Sequence, residues 1–192
     1  MSNKELQKKR MIGYFKEAVN KIVDEEGIEG LTARKVGERS GYSYATIYNY
    51  FSDFKALIAL VCLDKLKALA LEMTKEYNDP VEAIVESSKQ YFDFFANNPD
   101  WFRLIFIEDL GNHPTTIVGD NEKLSVGELL MKQLITCADL GVIEPASIMY
   151  YHGLIASSIH GKILFYVYQR QLADKIRITT QIEQEIRKLL EG

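Results

Sequence analysis

The sequence predicts an all-α fold of about nine helices, on three observations. Apolar residues recur at three- and four-residue steps along most of the chain, no segment alternates apolar and polar residues as a half-buried strand does, and only four prolines punctuate the pattern. No internal repeat interrupts this reading. Of the 192 residues, 47% are apolar and 26% charged, so the chain can build a core without a disulfide or metal staple.

The first helix is expected over about residues 4–26, where Met11, Phe15, Val19, Ile22 and Val23 fall on one face. Gly27 stops it and Gly30 lets the chain turn. Thr32 then stands as an N-cap before a short second helix, ARKVGERS, which ends at Ser40 and Gly41. Ser43 is the candidate N-cap of a third short helix, YATIYNYF. A longer fourth helix starts near Asp53 and runs to the breaker Asn78, Asp79, Pro80.

Beyond Pro80 the character changes. VEAIVESSKQYFDFFANN reads as a helix ending at Asn98 and Pro99, and DWFRLIFIEDL as a strongly aromatic one. GNHPTTIVGDN reads as a polar loop. A helix is expected over about residues 122–140, stopped by Gly141, then one from Pro145 to about Arg170, and a last one over about 173–191. The expected domains are residues 1–52, a linking helix over 53–79, and a helical body over 80–192.

The net charge of −4 excludes a globally basic nucleic-acid binder. Residues 1–55 nevertheless hold ten Lys and Arg against eight Asp and Glu, leaving the acidic excess to the rest. Cys62 and Cys137 lie in apolar helical contexts and read as buried thiols of a reducing compartment. The N-terminal residues MSNKELQKKR lack a leader-like apolar run, and no window has about 18 uninterrupted apolar residues, so a cytoplasmic chain without a membrane partner is expected.

Function concentrates between Thr32 and Phe51. Two short helices separated by a few residues with a glycine form a helix-turn-helix pattern. Such helices are too short to stand alone and need the first and fourth helices as clamps. Val36, Ile47 and Phe51 are the expected inward anchors, which leaves Tyr44, Ala45, Thr46, Tyr48, Asn49 and Tyr50 outward. Tyrosine and threonine hydroxyls can bond phosphate oxygens, Asn49 can pair with adenine, and Ala45 can touch a thymine methyl. Thr32, Ala33 and Arg34 open the second helix, where Arg34 can reach a guanine edge or a phosphate. The helix N-termini at Thr32 and Ser43 offer N–H groups to phosphate. The alternative is that Tyr48, Tyr50 and Phe51 are core aromatics, although three tyrosines in seven residues cannot all be buried on a short helix.

LTARKVGERSGYSYATIYNYFSDFKALI resembles the DNA-binding domain of TetR-family transcriptional repressors. The resemblance rests on Gly27 followed by Leu31 and Thr32, then Val36, Gly41, the stretch from Thr46 to Phe51, and Ala56 with Leu57. It covers about the first 60 residues. It implies base or phosphate contacts for Arg34, Tyr44, Ala45 and Thr46, and phosphate-side or groove contacts for Tyr48 and Tyr50. The family's usual lysine is replaced by Phe54, and Lys55 follows about 100° further around the helix. Lys55 is the candidate for that displaced contact. Tyr44 stands where the family often has a polar or basic residue. The resemblance further implies a helical ligand-binding and dimerisation domain, double-stranded DNA with an inverted-repeat operator, and a small-molecule effector.

In the body, Tyr91, Phe92, Phe94, Phe95, Trp101, Phe102 and Phe106 fall within sixteen residues. They either fill a core or line a pocket for an apolar ligand. The candidate ligand residues are Tyr91, Phe95, Trp101, Phe102 and Phe106, with Tyr151 and His152 as polar handles. His152 and His160 share a helical face, but no carboxylate or cysteine stands at ligand spacing, so neither a metal site nor a cofactor is expected. Gly153, Ala156, Ser157 and Gly161 leave room for a partner helix, beside Leu154, Ile155, Ile159, Leu164 and Phe165. Ile178, Ile182, Ile186 and Leu189 form a stripe on the last helix. By the resemblance, a homodimer forms through the last two helices as a four-helix bundle. Two competing readings remain open: a helical enzyme, for which no catalytic set or phosphate loop is legible, and a protein-interaction module without DNA binding.

Overall fold

The computed structural model describes residues 2–75, 77–111, 113, 125–170 and 173–192. Among them the chain forms nine α-helices and no strand. In chain order these are α1 (Asn3–Glu26), α2 (Ala33–Ser40), α3 (Tyr44–Ile47), α4 (Phe54–Glu72), α5 (Pro80–Asn97), α6 (Pro99–Phe106), α7 (Val126–Asp139), α8 (Ile148–Val167) and α9 (Lys175–Leu190). Among the described residues, no helix is long and apolar enough to cross a membrane. The residues from 114 to 124 in the expected polar loop and helix start lie outside the described residues.

The chain divides into two compact units that do not follow chain order. Residues 1–65 and 100–118 make the first, and residues 66–99 and 119–192 the second. The sequence places the aromatic helix after Pro99 with the body; α6 instead clusters with the N-terminal helices.

In the first unit, α1 begins at a reciprocal cap. The Ser2 hydroxyl accepts the Glu5 backbone N–H at 3.2 Å, and the Glu5 carboxylate accepts the Ser2 N–H at 2.7 Å. Its expected apolar face is buried, with Phe15, Val19 and Ile22 fully enclosed, each side chain contributing about 1.5–3 kcal/mol. Gly27 ends the helix at a φ of 72°, in the region that favours glycine. Thr32 caps α2, its hydroxyl accepting the Lys35 N–H at 3.2 Å. Asp53 caps α4 through the Ala56 N–H at 2.8 Å.

The third helix is shorter than the expected eight residues. Only Tyr44–Ile47 is α-helical. From Tyr48 to Tyr50 the amides reach back three residues, to Ala45, Thr46 and Ile47. Ile, Thr, Tyr and Asn are middling helix formers, and here a tight turn takes over. Ser43 occupies the N-cap position but does not cap: its hydroxyl bonds the Thr46 hydroxyl at 3.0 Å.

In the second unit, α5 packs against α7, α8 and α9. Asp79 accepts the Val81 N–H at 2.9 Å, and Pro80 opens α5, as the sequence signals. Ser125 and Glu128 form a second reciprocal cap at α7. The expected helix from Pro145 begins instead with a 3-10 turn over Pro145–Ser147 and ends at Val167. On α9 the stripe Ile178, Ile182, Ile186 is buried, and Leu190 completes it in place of Leu189. This stripe therefore serves the unit's own core. Cys62 and Cys137 are buried free thiols, burial pushing them up to about 12 and about 11.

Candidate nucleic-acid interface

The anchors of α2 and α3 are wholly enclosed: Val36 and Ile47 each show 0% exposure. Phe51, the third expected anchor, is only half-buried. Gly41 carries α2 into the turn with φ 80°, while its N–H and that of Tyr42 bond the Glu38 and Gly37 carbonyls. That pairing satisfies the end of the helix and sends the chain sharply toward α3.

Gly37 is a residue the sequence reading passed over. A Cβ there would meet the Tyr44 nitrogen at 2.7 Å and the Tyr42 carbonyl oxygen at 2.9 Å. The two short helices approach so closely only because no side chain stands between them. A glycine in the middle of an eight-residue helix, where it weakens helix formation, was the available signal.

The outward set is largely where the sequence places it. Thr32, Arg34, Ser43, Tyr44, Ala45, Tyr48, Asn49 and Lys55 are exposed, and Ala33, Thr46 and Tyr50 are half-buried. Tyr48 is 48% exposed, which removes the core reading for that ring. Tyr50 differs: its ring lies 6.1 Å from Phe15 and helps close the head. Tyr42, absent from the expected set, is exposed and stacks on Tyr14 at 6.1 Å; no spacing signal marks that pair.

Charge on α2 is sorted by face. Lys35 pairs with Glu26, and Arg39 with Glu25 and with Glu26 at 2.8 Å. These bonds tie α2 to the end of α1. The Lys35 hydrogen bond holds the Glu26 carboxyl below its ordinary range, and the Glu25 hydrogen bond raises the Arg39 guanidinium. Arg34 points elsewhere, its Nε meeting Glu38 at 3.0 Å in a highly exposed pair. Such a pair is weak and can be exchanged for a phosphate.

Residues 18–61 match the model of the bacterial regulatory proteins of the tetR family. Over those residues the chain carries a DNA-binding domain of the tetR type. The matched segment holds every residue of the candidate surface, from Thr32 to Lys55. Among curated proteins, none matches the sequence.

Solved structures share the TetR-family fold along nearly the whole chain. The transcriptional regulator FadR from Bacillus subtilis, in complex with stearoyl-CoA, is 15% identical over 90% of this chain and 96% of its own, with a TM-score of 0.69. RolR in complex with resorcinol is 12% identical over 96% and 89%, with a TM-score of 0.73. A TetR transcriptional regulator from Rhodococcus sp. RHA1 is 16% identical over 95% of both chains, with a TM-score of 0.62.

The residues nominated for a ligand divide between the two units. Trp101, Phe102 and Phe106 belong to the first. Trp101 is buried; its indole N–H donates to Asp24 at 2.6 Å, and Lys65 Nζ sits 4.1 Å above its ring. Tyr91, Phe95, Tyr151 and His152 belong to the second. Tyr91 and Phe95 are buried edge to face at 5.0 Å. Tyr91 Oη is joined to His160 Nε2 by a 2.7 Å hydrogen bond. Burial raises the Tyr91 hydroxyl and lowers the His160 imidazole, so both stay neutral near pH 7. His152 turns away and bonds the Gly127 carbonyl at 3.2 Å. The two histidines do not converge, and among the described residues no three His, Cys, Asp or Glu gather as a metal set.

Within the second unit, α8 and α9 enclose an apolar groove of about 430 Å³, lined by Leu154, Ile155, Ile159, Ile186 and Leu189 among others. Phe165, Leu164 and Leu154 are exposed. A Cβ at Gly153 or Gly161 would meet nothing within 4 Å, so that face of α8 is open.

Proposed function

We propose that the chain is a homodimeric repressor that binds an inverted-repeat operator in double-stranded DNA and is released by a small apolar or aromatic effector. The observation that carries DNA recognition is the exposure of Tyr44, Ala45, Tyr48 and Asn49 on a turn whose anchors, Val36 and Ile47, are fully buried. A rigid base with hydroxyl, amide and methyl groups on its rim suits phosphates and base edges. Arg34 and Lys55 supply exchangeable cations beside it. Two such heads related by a two-fold axis read successive major grooves, about 34 Å apart.

The dimer contact is assigned to the open face of α8 and the groove it shares with α9. Small residues there admit a partner helix, and Leu154, Leu164, Phe165 and Leu189 offer it apolar area. The effector is assigned to the second unit, at Tyr91 and Phe95 with His160, the partner of the Tyr91 hydroxyl; Tyr151 and His152, also nominated from the sequence, lie in the same unit. FadR holds stearoyl-CoA and RolR holds resorcinol; a long acyl chain and a phenol are both largely apolar with polar handles. An aromatic wall with one hydroxyl–imidazole pair suits that chemistry. An effector that prefers the DNA-incompetent arrangement by 1–3 kcal/mol lowers DNA affinity roughly 5- to 150-fold.

Filter binding tests the reading. The purified dimer is expected to retain DNA from upstream of its own coding sequence over scrambled DNA, with strong salt dependence. Titration with stearoyl-CoA and with resorcinol then probes release. No preference for the upstream DNA or for neighbouring promoters counts against the regulator reading; preference without release by either compound counts against the effector class.

A further inference from the structure

Two polar contacts fasten the stretch after α6 to the start of α4, both within the first unit. Asp109 Oδ2 meets Lys55 Nζ at 3.1 Å. His113 Nε2 lies 3.1 and 2.9 Å from the two carboxylate oxygens of Asp53. Each carboxylate is also fixed by its own backbone: Asp109 Oδ1 accepts the Gly111 N–H and Asp53 Oδ1 the Ala56 N–H, both at 2.8 Å. The turn thus sets Asp109 in place and the flexible lysine comes to it.

Lys55 is the cation beside the recognition turn, displaced by one position from Phe54. Its side chain is 48% exposed and that of Asp109 86%. A pair so open to water is weak, and a duplex phosphate competes for the same ammonium on nearly equal terms. The Gly111 N–H, and after it the Lys55 bond, hold the Asp109 carboxyl below its ordinary range, so the competitor keeps its charge at neutral pH. The stretch bearing Asp109 hangs from α6, and α6 is pinned to α1 by the Trp101–Asp24 bond and to the turn after α1 by an Arg103–Glu29 pair at 3.6 Å. Asp109 therefore travels with the head.

We propose that Asp109 is a built-in competitor for the DNA backbone: it holds Lys55 Nζ in the free protein and limits both the strength and the salt dependence of DNA binding. This rests on the reading of Lys55 as a phosphate contact. Asp109 acts through Lys55 and is a positioning residue.

The test is Asp109→Asn, which removes the charge and keeps an oxygen for the Gly111 N–H. Fluorescence anisotropy would follow binding to a duplex from upstream of the coding sequence and to a scrambled duplex, across a salt series. Asp109→Asn is expected to bind both roughly two- to fivefold more tightly per head at low salt. Its plot of log affinity against log salt is expected to steepen by up to about 0.9 per head, the signature of one more phosphate contact. Lys55→Ala is expected to weaken binding, and adding Asp109→Asn to it to change nothing further. Unchanged or weaker binding by Asp109→Asn, with wild-type binding intact, overturns the inference alone. So does a gain that persists in the Lys55→Ala background, because it reflects charge in general. Binding by Asp109→Asn where the wild type fails supports it. Binding by neither chain overturns the DNA-binding reading together with this one.

Discussion

A Cβ on Gly37 would come within 2.7 Å of the Tyr44 backbone nitrogen. The obstacle is backbone of the turn leading into α3, since the Tyr42 carbonyl lies at 2.9 Å, and neither can swing aside as a side-chain tip does. Alanine would favour an isolated helix by about 1 kcal/mol, but overpacking costs about 1–3 kcal/mol, and a 2.7 Å approach to backbone belongs in the upper half of that range, about 2–3 kcal/mol. Gly37→Ala is therefore expected to lower stability by about 1–2 kcal/mol and to weaken DNA binding by disturbing Tyr44. Urea unfolding with parallel DNA titration checks this. An unchanged or raised midpoint would show that the helices are free to part.

The open face of α8 makes a separate prediction. Phe165 is 53% exposed and Leu154 40%, so charging them leaves the subunit's own core alone. Phe165→Glu combined with Leu154→Glu is expected to shift the chain from dimer to monomer in sedimentation equilibrium while its helical circular dichroism persists. A dimer that survives both changes would place the contact elsewhere.

His160 gives the second unit an acid-side stability limit. Burial holds its folded pKa below the unfolded value of 6.5. Above that value the ring is neutral in both states and contributes no pH dependence. As pH falls through it, the unfolded chain takes up a proton that the folded chain refuses, and stability drops until the pH passes the folded value. Melting temperatures from about pH 7.5 to about pH 5 are expected to fall for the wild type and to vary less for His160→Gln. Surface carboxylates such as Glu183, held below their ordinary range by Lys89, act lower on the scale. Identical slopes in the two chains would show that His160 takes its proton as readily folded as unfolded.

Much of the head was legible because local chemistry and tertiary structure agree there. Thr32, Gly27 and Gly41 carry unambiguous start and stop signals, and the Phe15, Val19, Ile22 face repeats at helical spacing. Legibility failed where a residue's partner is remote in sequence. Nothing local says that Trp101 bonds Asp24, 77 residues away, or that Asp109 meets Lys55, 54 residues away. An aromatic run therefore read as one wall although its members belong to two units. It failed again at Ser43, whose hydroxyl has two partners within reach, an amide and the Thr46 hydroxyl. The stripe on α9 shows a third limit: periodicity reveals that Ile178, Ile182 and Ile186 share a face, but not whether its own subunit or a second one covers it.

The affinity of Tyr48→Ala for duplex DNA from upstream of the coding sequence tests the central claim most directly. Tyr48 is exposed and is no part of the anchor set, so its loss leaves the fold intact. Wild type is expected to prefer the upstream duplex to a scrambled one by roughly a thousandfold or more. Tyr48→Ala is expected to bind it at least about tenfold more weakly, the size of one good contact, with unchanged melting. Equal affinity of the two chains for the upstream duplex would contradict recognition through this turn.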